Sequence, residues 1–225
     1  MSKFINIFRR AFGGILCVSM LSFCNLTATM CPCDQKFHAH HISAACETWQ
    51  NVSDIVAQLQ YIWGSFPVAL IDYSGTLVVD NTINSEAVKY VKNSTSYGLS
   101  NFIITSRVLL EHQSRMEKLQ SAGLNDDIFF KPELFNLNKS GIQQDVTGFR
   151  VPNHKFTYKN GLLYSLYHHD YQSKGKAFDE FIGYFNHKPS YVIMIDNNTY
   201  NLCAIAEACK AHDIPSYTIL MNFTQ

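Results

Sequence analysis

The chain has 225 residues, 47% of them hydrophobic and only 16% charged. That is enough apolar matter for a buried core, so disorder over the whole length and a charge-laced coiled coil are both excluded. Eighteen basic groups balance eighteen acidic ones, which argues against a nucleic-acid binder held by bulk charge. The balance is uneven along the chain. Lys3, Arg9 and Arg10 stand in the first 24 residues with no acid beside them, and the remainder carries a slight negative excess.

Those three cations precede an uncharged stretch from Ala11 to Cys24. A basic start, a short apolar run and small residues at its end are the parts of a secretory signal. The run is too short to span a bilayer comfortably. Three outcomes stay open: cleavage after Cys24, a lipoprotein signal acylated at Cys24, or an uncut N-terminal anchor. Each implies export, to periplasm, outer-envelope surface or medium, with membrane attachment through the N-terminus in the latter two. Residues 25–50 read as a flexible linker. Within it, Cys31-Pro-Cys33 is placed to pair with Cys46 or with another chain in an oxidising space. Cys31, Cys33, His38, His40 and His41 form a soft-ligand cluster, but their spacing matches no standard zinc site.

The domain is expected over 51–225. A helix is predicted from Ile55 to Ile62, capped by Ser53 or Asp54 and ended by Gly64. Phe66–Ile71 is a short continuous apolar run, as suits a strand buried on both faces. Ser85 is the expected cap of a helix over 86–92, Asn101–Thr105 a second buried strand, and Leu109–Ala122 a helix stopped by Gly123. Phe156–Tyr158 and Leu162–Leu166 flank Asn160-Gly161, the signature of a type I′ hairpin. A helix over 174–185, a strand over 190–195, a helix over 200–212 and a strand over 216–221 complete the pattern. Strands alternating with helices predict an α/β fold with a mostly parallel sheet. About 68 residues lie between Thr105 and Lys174, and the hairpin among them reads as a small cap within an insertion over 125–170.

Open parallel sheets bind ligands at the carboxyl ends of their strands. The residues that follow the buried runs are Asp72-Tyr-Ser-Gly-Thr76, Thr105-Ser106-Arg107 and Asp196-Asn-Asn198, and Lys174-Gly175 opens a helix. A carboxylate, a hydroxyl, an ammonium and a second carboxylate on one rim suit phosphoryl transfer. They supply a nucleophile, groups for phosphoryl oxygens and two acids able to hold Mg²⁺.

Four such motifs in this order, each behind its proper element over about Phe66–Met221, resemble the haloacid dehalogenase (HAD) superfamily. The pairing of Tyr158-Lys-Asn-Gly161 with Lys174-Gly175 further resembles an uncharacterised group of exported bacterial HAD-like proteins. The resemblance implies a Rossmann-type sheet and a Mg²⁺-dependent phosphohydrolase acting on a phosphorylated substrate. In that scheme Asp72 attacks phosphorus, while Asp72, the Ser74 carbonyl and Asp196 ligate Mg²⁺, with Asn197 where a second acid often lies. Thr105 and Ser106 bind phosphoryl oxygens, together with the Ser74–Gly75 loop. Lys174, favoured over Lys176 by the Lys-Gly pattern, neutralises charge between Asp72 and the phosphate. The departure is Ser74, where HAD phosphatases carry the Asp that protonates the leaving group. Loss of a general acid–base group costs ~10²–10⁴ in rate, so weak or specialised turnover is expected. The alternative is an inactive HAD-fold binding protein of the envelope or secretome. Asp80, His168, His169 and Asp170 are the candidates to replace the missing acid.

Overall fold

The computed structural model describes residues 42–223, apart from 108, 130, 140–141, 146–147, 152–155 and 167–171. The stretch expected to be a signal, the Cys31–His41 cluster and His168-His169-Asp170 lie outside the described residues. Among the described residues no helix is long and apolar enough to cross a membrane.

The centre of the molecule is built from the apolar runs. Strands β2 (Pro67–Asp72), β5 (Ser100–Thr105) and β10 (Tyr191–Asp196) are buried at every position. Side chains alternate across a strand. Ala69, Ile71, Ile103, Ile193 and Ile195 therefore enter one core, and Val68, Leu70, Phe102, Ile104, Val192 and Met194 enter the other. Helices α1 (Trp49–Leu59), α2 (Ser85–Ser96) and α3 (His112–Ser121) cover the first face. Helices α5 (Ser173–Ile182) and α6 (Thr199–Ala211) cover the second. Helices on both faces are what a parallel sheet needs to bury its runs.

The chain also forms β1 (Ile42–Cys46), the short pair β3 (Val78–Val79) and β4 (Thr82–Ile83), and a one-turn helix α4 (Asp126–Phe129). Strands β6 (Gln143–Asp145), β7 (Gly148–Arg150), β8 (Phe156–Lys159), β9 (Leu162–Ser165) and β11 (Ser216–Met221) complete the set. The large sheet has nine strands in the order β1-β11-β10-β2-β5-β9-β8-β7-β6. Pairing is parallel from β1 through β9 and antiparallel from β9 through β6. The expected α/β architecture with a mostly parallel sheet is thus present.

Three expectations need correction. Ile42–Cys46 is not linker: it pairs in parallel with β11 along its whole length, so the domain begins before residue 51. The first helix also starts earlier, because Thr48 caps it by accepting from the Asn51 N–H at 3.2 Å. Ser53 lies inside that helix and donates to the Trp49 carbonyl, and the next helix is capped by Asn84 rather than Ser85. Third, the Asn160-Gly161 hairpin is not a cap. Both turn residues have positive φ, as a type I′ turn requires, but β9 joins β5 in parallel and β8 carries the sheet outward to β7 and β6. Its aromatic residues explain why it docks. Tyr158 and Phe156 join Phe102, Phe135, Phe149, Phe181 and Phe185 in one cluster, with Phe102 ring centroids 5.8–6.0 Å from four of its neighbours.

Candidate functional site

Parallel register sets the rim. Ile71 of β2 pairs with Ile195 of β10, and Asp72 with Ile104 of β5. Asp72 and Asp196 therefore close adjacent strands, and Thr105 closes the next. On the other side of β5, the end of β9 leads to α5, and the Ser165 hydroxyl donates to the Ser173 carbonyl at 2.8 Å, tying strand end to helix start. This sets Lys174 in the first turn of α5.

Its Nζ donates to Asp72 Oδ1 at 2.5 Å and to Asp196 Oδ2 at 2.7 Å. All three side chains are buried, Asp196 at 0% exposure and Asp72 and Lys174 at 3% each. Lys176, the other candidate, is exposed. Gly175 is what allows this depth. A Cβ there would lie 2.5 Å from the Ala204 carbonyl oxygen, so only glycine lets α5 press against α6 at the level of the lysine.

The loop after β2 is braced throughout. Asp72 accepts from the Ser74 backbone N–H, the Leu77 N–H bonds the Asp72 carbonyl, and the Val78 N–H bonds that of Tyr73. Thr76 donates to Asp72 Oδ2 at 3.4 Å and accepts from the Asn197 N–H at 3.0 Å, joining the two acidic loops. Gly75 has φ +83°, and a Cβ on it would meet the Asn197 amide at 2.3 Å. The positive φ favours glycine there, while the Asn197 side chain is exposed and free to shift.

Asp196 is held by more than Lys174. Its Oδ1 accepts from the Asn198 N–H at 2.8 Å and its Oδ2 from Asn201 Nδ2 at 3.0 Å. No motif in the sequence marks Asn201, since its reach back to Asp196 depends on the first turn of α6. The Asn197 side chain is exposed and lies against Gly75. Thr105 is buried and accepts from the Arg107 N–H at 3.2 Å, while Ser106 is exposed. Asp80 is exposed in the β3–β4 turn with φ +47°.

Two carboxylates share one ammonium, which leaves a buried excess of one negative charge. Burial raises Asp72 from its ordinary 3.8 to about 6; Lys174 and the Ser74 N–H pull it down, and Asp196 pushes it up. Burial works to lower the Lys174 ammonium, yet the two carboxylates outweigh it and hold the group above its usual range. The lysine thus stays charged.

Beside the Asp72 loop lies a cavity of about 410 Å³ lined by Tyr73, Ser74 and Gly75, by Asn81 of the β3–β4 hairpin, and by Arg107, Glu111, Arg115 and Lys118. No sequence motif marked Arg115 or Lys118, because ordinary helix positions acquire such a role only through packing.

The class defined so far is an α/β protein with an acid–lysine–acid cluster at the carboxyl rim of a parallel sheet. The family described as Protein of unknown function (DUF2608) matches residues 66–224, and the chain belongs to that family. No curated protein and no solved structure matches it.

Proposed function

We propose that the protein is a HAD-like, Mg²⁺-dependent phosphohydrolase with Asp72 as nucleophile, slowed by Ser74. The observation that carries this reading is the Lys174 ammonium bridging Asp72 and Asp196 at the ends of adjacent strands. The strand order β11-β10-β2-β5-β9, with all five parallel, supports it as well.

The chemistry follows from the side chains. Asp72 attacks phosphorus, and the alkoxide leaves with the P–O bond pair, so an aspartyl phosphate forms. Lys174 offsets charge on the reacting carboxylate and the phosphoryl oxygens. Thr105, at the neighbouring strand end, would donate its hydroxyl to a phosphoryl oxygen. Ser74 neither protonates the leaving oxygen nor activates water at neutral pH, so both steps fall to solvent.

Among the described residues no group of three or more His, Cys, Asp or Glu could hold a metal. Mg²⁺ asks for less, since it commonly takes one or two carboxylates and keeps waters and substrate phosphate as further ligands. Asp72 and Asp196 meet that need with oxygen donors alone, and their uncompensated negative charge favours a cation. Asp72, Asp196 and the Ser74 carbonyl would hold the ion, with Asn197 at the rim. When bound it supplies Lewis-acid stabilisation of phosphoryl charge.

The test is phosphate release from an aryl phosphate by the mature protein, with and without Mg²⁺. Turnover that needs Mg²⁺ and vanishes in Asp72→Asn is the expected result. Neither turnover nor fluoroberyllate binding at Asp72 would defeat the reading. The second reading, a non-catalytic binding protein of the envelope or secretome, draws on Ser74 and on the near-complete burial of the two acids. Asp72-dependent turnover would eliminate it.

A further inference from the structure

The cavity beside the Asp72 loop has its own chemistry. Three of its lining side chains, Arg107, Arg115 and Lys118, are cations, against one carboxylate, Glu111. Arg115 is built in. It is 4% exposed, pairs with Glu111 at 2.5 Å, and its guanidinium lies 5.6 Å from the ring centroids of both Tyr73 and Tyr164. The tyrosines are neutral: burial raises both hydroxyls, Tyr164 to about 12 despite the pull of Arg115. Lys118 reaches across to the Asn81 side chain in the β3–β4 turn, joining α3 to the hairpin. Arg107 follows the Thr105 strand end and is exposed. The positive excess therefore lines a space that begins at Ser74 and Gly75.

A phosphomonoester bound at Asp72 would extend its organic part along those two residues. A neutral or cationic tail gains nothing from such a wall. An anionic one gains charge-assisted hydrogen bonds, which are stronger than neutral ones, and guanidinium groups match carboxylate and phosphate in a two-pronged fit. The volume suits a small molecule rather than a polymer segment.

We infer that this cavity is a specificity pocket for a second anion, so that the preferred substrate is a small phosphorylated compound carrying another carboxylate or phosphate a few bonds from the ester. This rests on the phosphohydrolase reading for the position of the first phosphate. The second-anion site itself is read from Arg107, Arg115 and Lys118.

The test uses non-hydrolysable probes and equilibrium binding to the mature protein with Mg²⁺, so it does not depend on turnover. Propylphosphonate carries one anionic group; 3-phosphonopropionate and propane-1,3-diphosphonate carry two. At least one of the two longer anions should bind about tenfold or more tightly than propylphosphonate. The advantage should shrink several-fold in Arg107→Gln and in Lys118→Gln, neither of which removes the buried Arg115. Equal affinity for all three probes, or an advantage unchanged in both variants, would overturn the inference. Either result is separable from the phosphohydrolase test. Aryl phosphate turnover without a second-anion preference defeats the pocket alone, and a preference with neither turnover nor fluoroberyllate binding at Asp72 defeats the hydrolase alone.

Discussion

Replacing Asp72 by Asn should stabilise the metal-free protein at alkaline pH. The carboxylate is 3% exposed and shares Lys174 with Asp196, so its charge is poorly compensated. Its raised value, about 6 against an ordinary 3.8, carries a definite sign. A raised carboxylate contributes stability that is fully present below the unfolded value and is lost as pH climbs through the folded one. An amide at this position does not titrate and suffers no such loss. Each tenfold difference in proton affinity between folded and unfolded chains corresponds to about 1.4 kcal/mol. The stability of the variant minus that of the wild type should therefore rise by roughly 2 kcal/mol between about pH 4.5 and pH 8. Urea unfolding in EDTA, with equal slopes for the two proteins, measures it. Millimolar Mg²⁺ should then stabilise the wild type more than the variant, since only the wild type offers two carboxylates. A difference that stays flat with pH, or that grows toward acid, would refute the account of a charge-strained Asp72.

Other outcomes follow from the same geometry. Ser74→Asp should raise aryl phosphatase activity by about tenfold or more, because it restores a general acid beside the nucleophile; steady-state kinetics on the folded variant decide it. Gly175→Ala should cost about 1–3 kcal/mol of stability, since its methyl must displace the Ala204 backbone 2.5 Å away, and chemical unfolding reads that loss. Lys174→Met should be worse at pH 8 than at pH 5, because two buried carboxylates then face one another without a cation; removing one partner of a buried pair costs about 3–5 kcal/mol, and urea unfolding at the two pH values measures the difference. The Cys209 thiol is fully buried, and burial pushes it up to about 12. An aromatic disulfide reagent should count the same number of native thiols in wild type and Cys209→Ser, and one fewer in the variant after denaturation.

The parts of this fold that could be read in advance are those where local chemistry and tertiary environment agree. Pro67–Asp72 and Tyr191–Asp196 are apolar at nearly every position because both sheet faces are covered, so their runs announce buried strands and the acids at their ends. Asn160-Gly161 announces its own turn by the φ values it must adopt. What the turn cannot disclose is its neighbour. Leu162–Ser165 lies beside β5 only because Tyr158 and Phe156 complete an aromatic cluster drawn from distant segments. Ile42–Cys46 escapes for a similar reason. Ser43, Ala44 and Ala45 are small residues with little strand preference of their own, and β11 alone makes them a strand. Within the site, Asp72, Lys174 and Asp196 could be nominated from motif order, whereas Asn201 and Arg115 could not. Their partners lie across turns and helices that exist only once the chain has folded.

The placement of β1 sets a direction for the whole molecule. Because it runs parallel to β11, β10 and β2, Ile42 enters at the end of the sheet remote from Asp72 and Asp196. Ala45 is level with Asp196 in the register, so three residues of strand, at ~3.3 Å each, put about 10 Å along the strand axis between Ile42 and the acidic rim. The edge strand therefore starts at one end of the sheet, and the acids stand at the other.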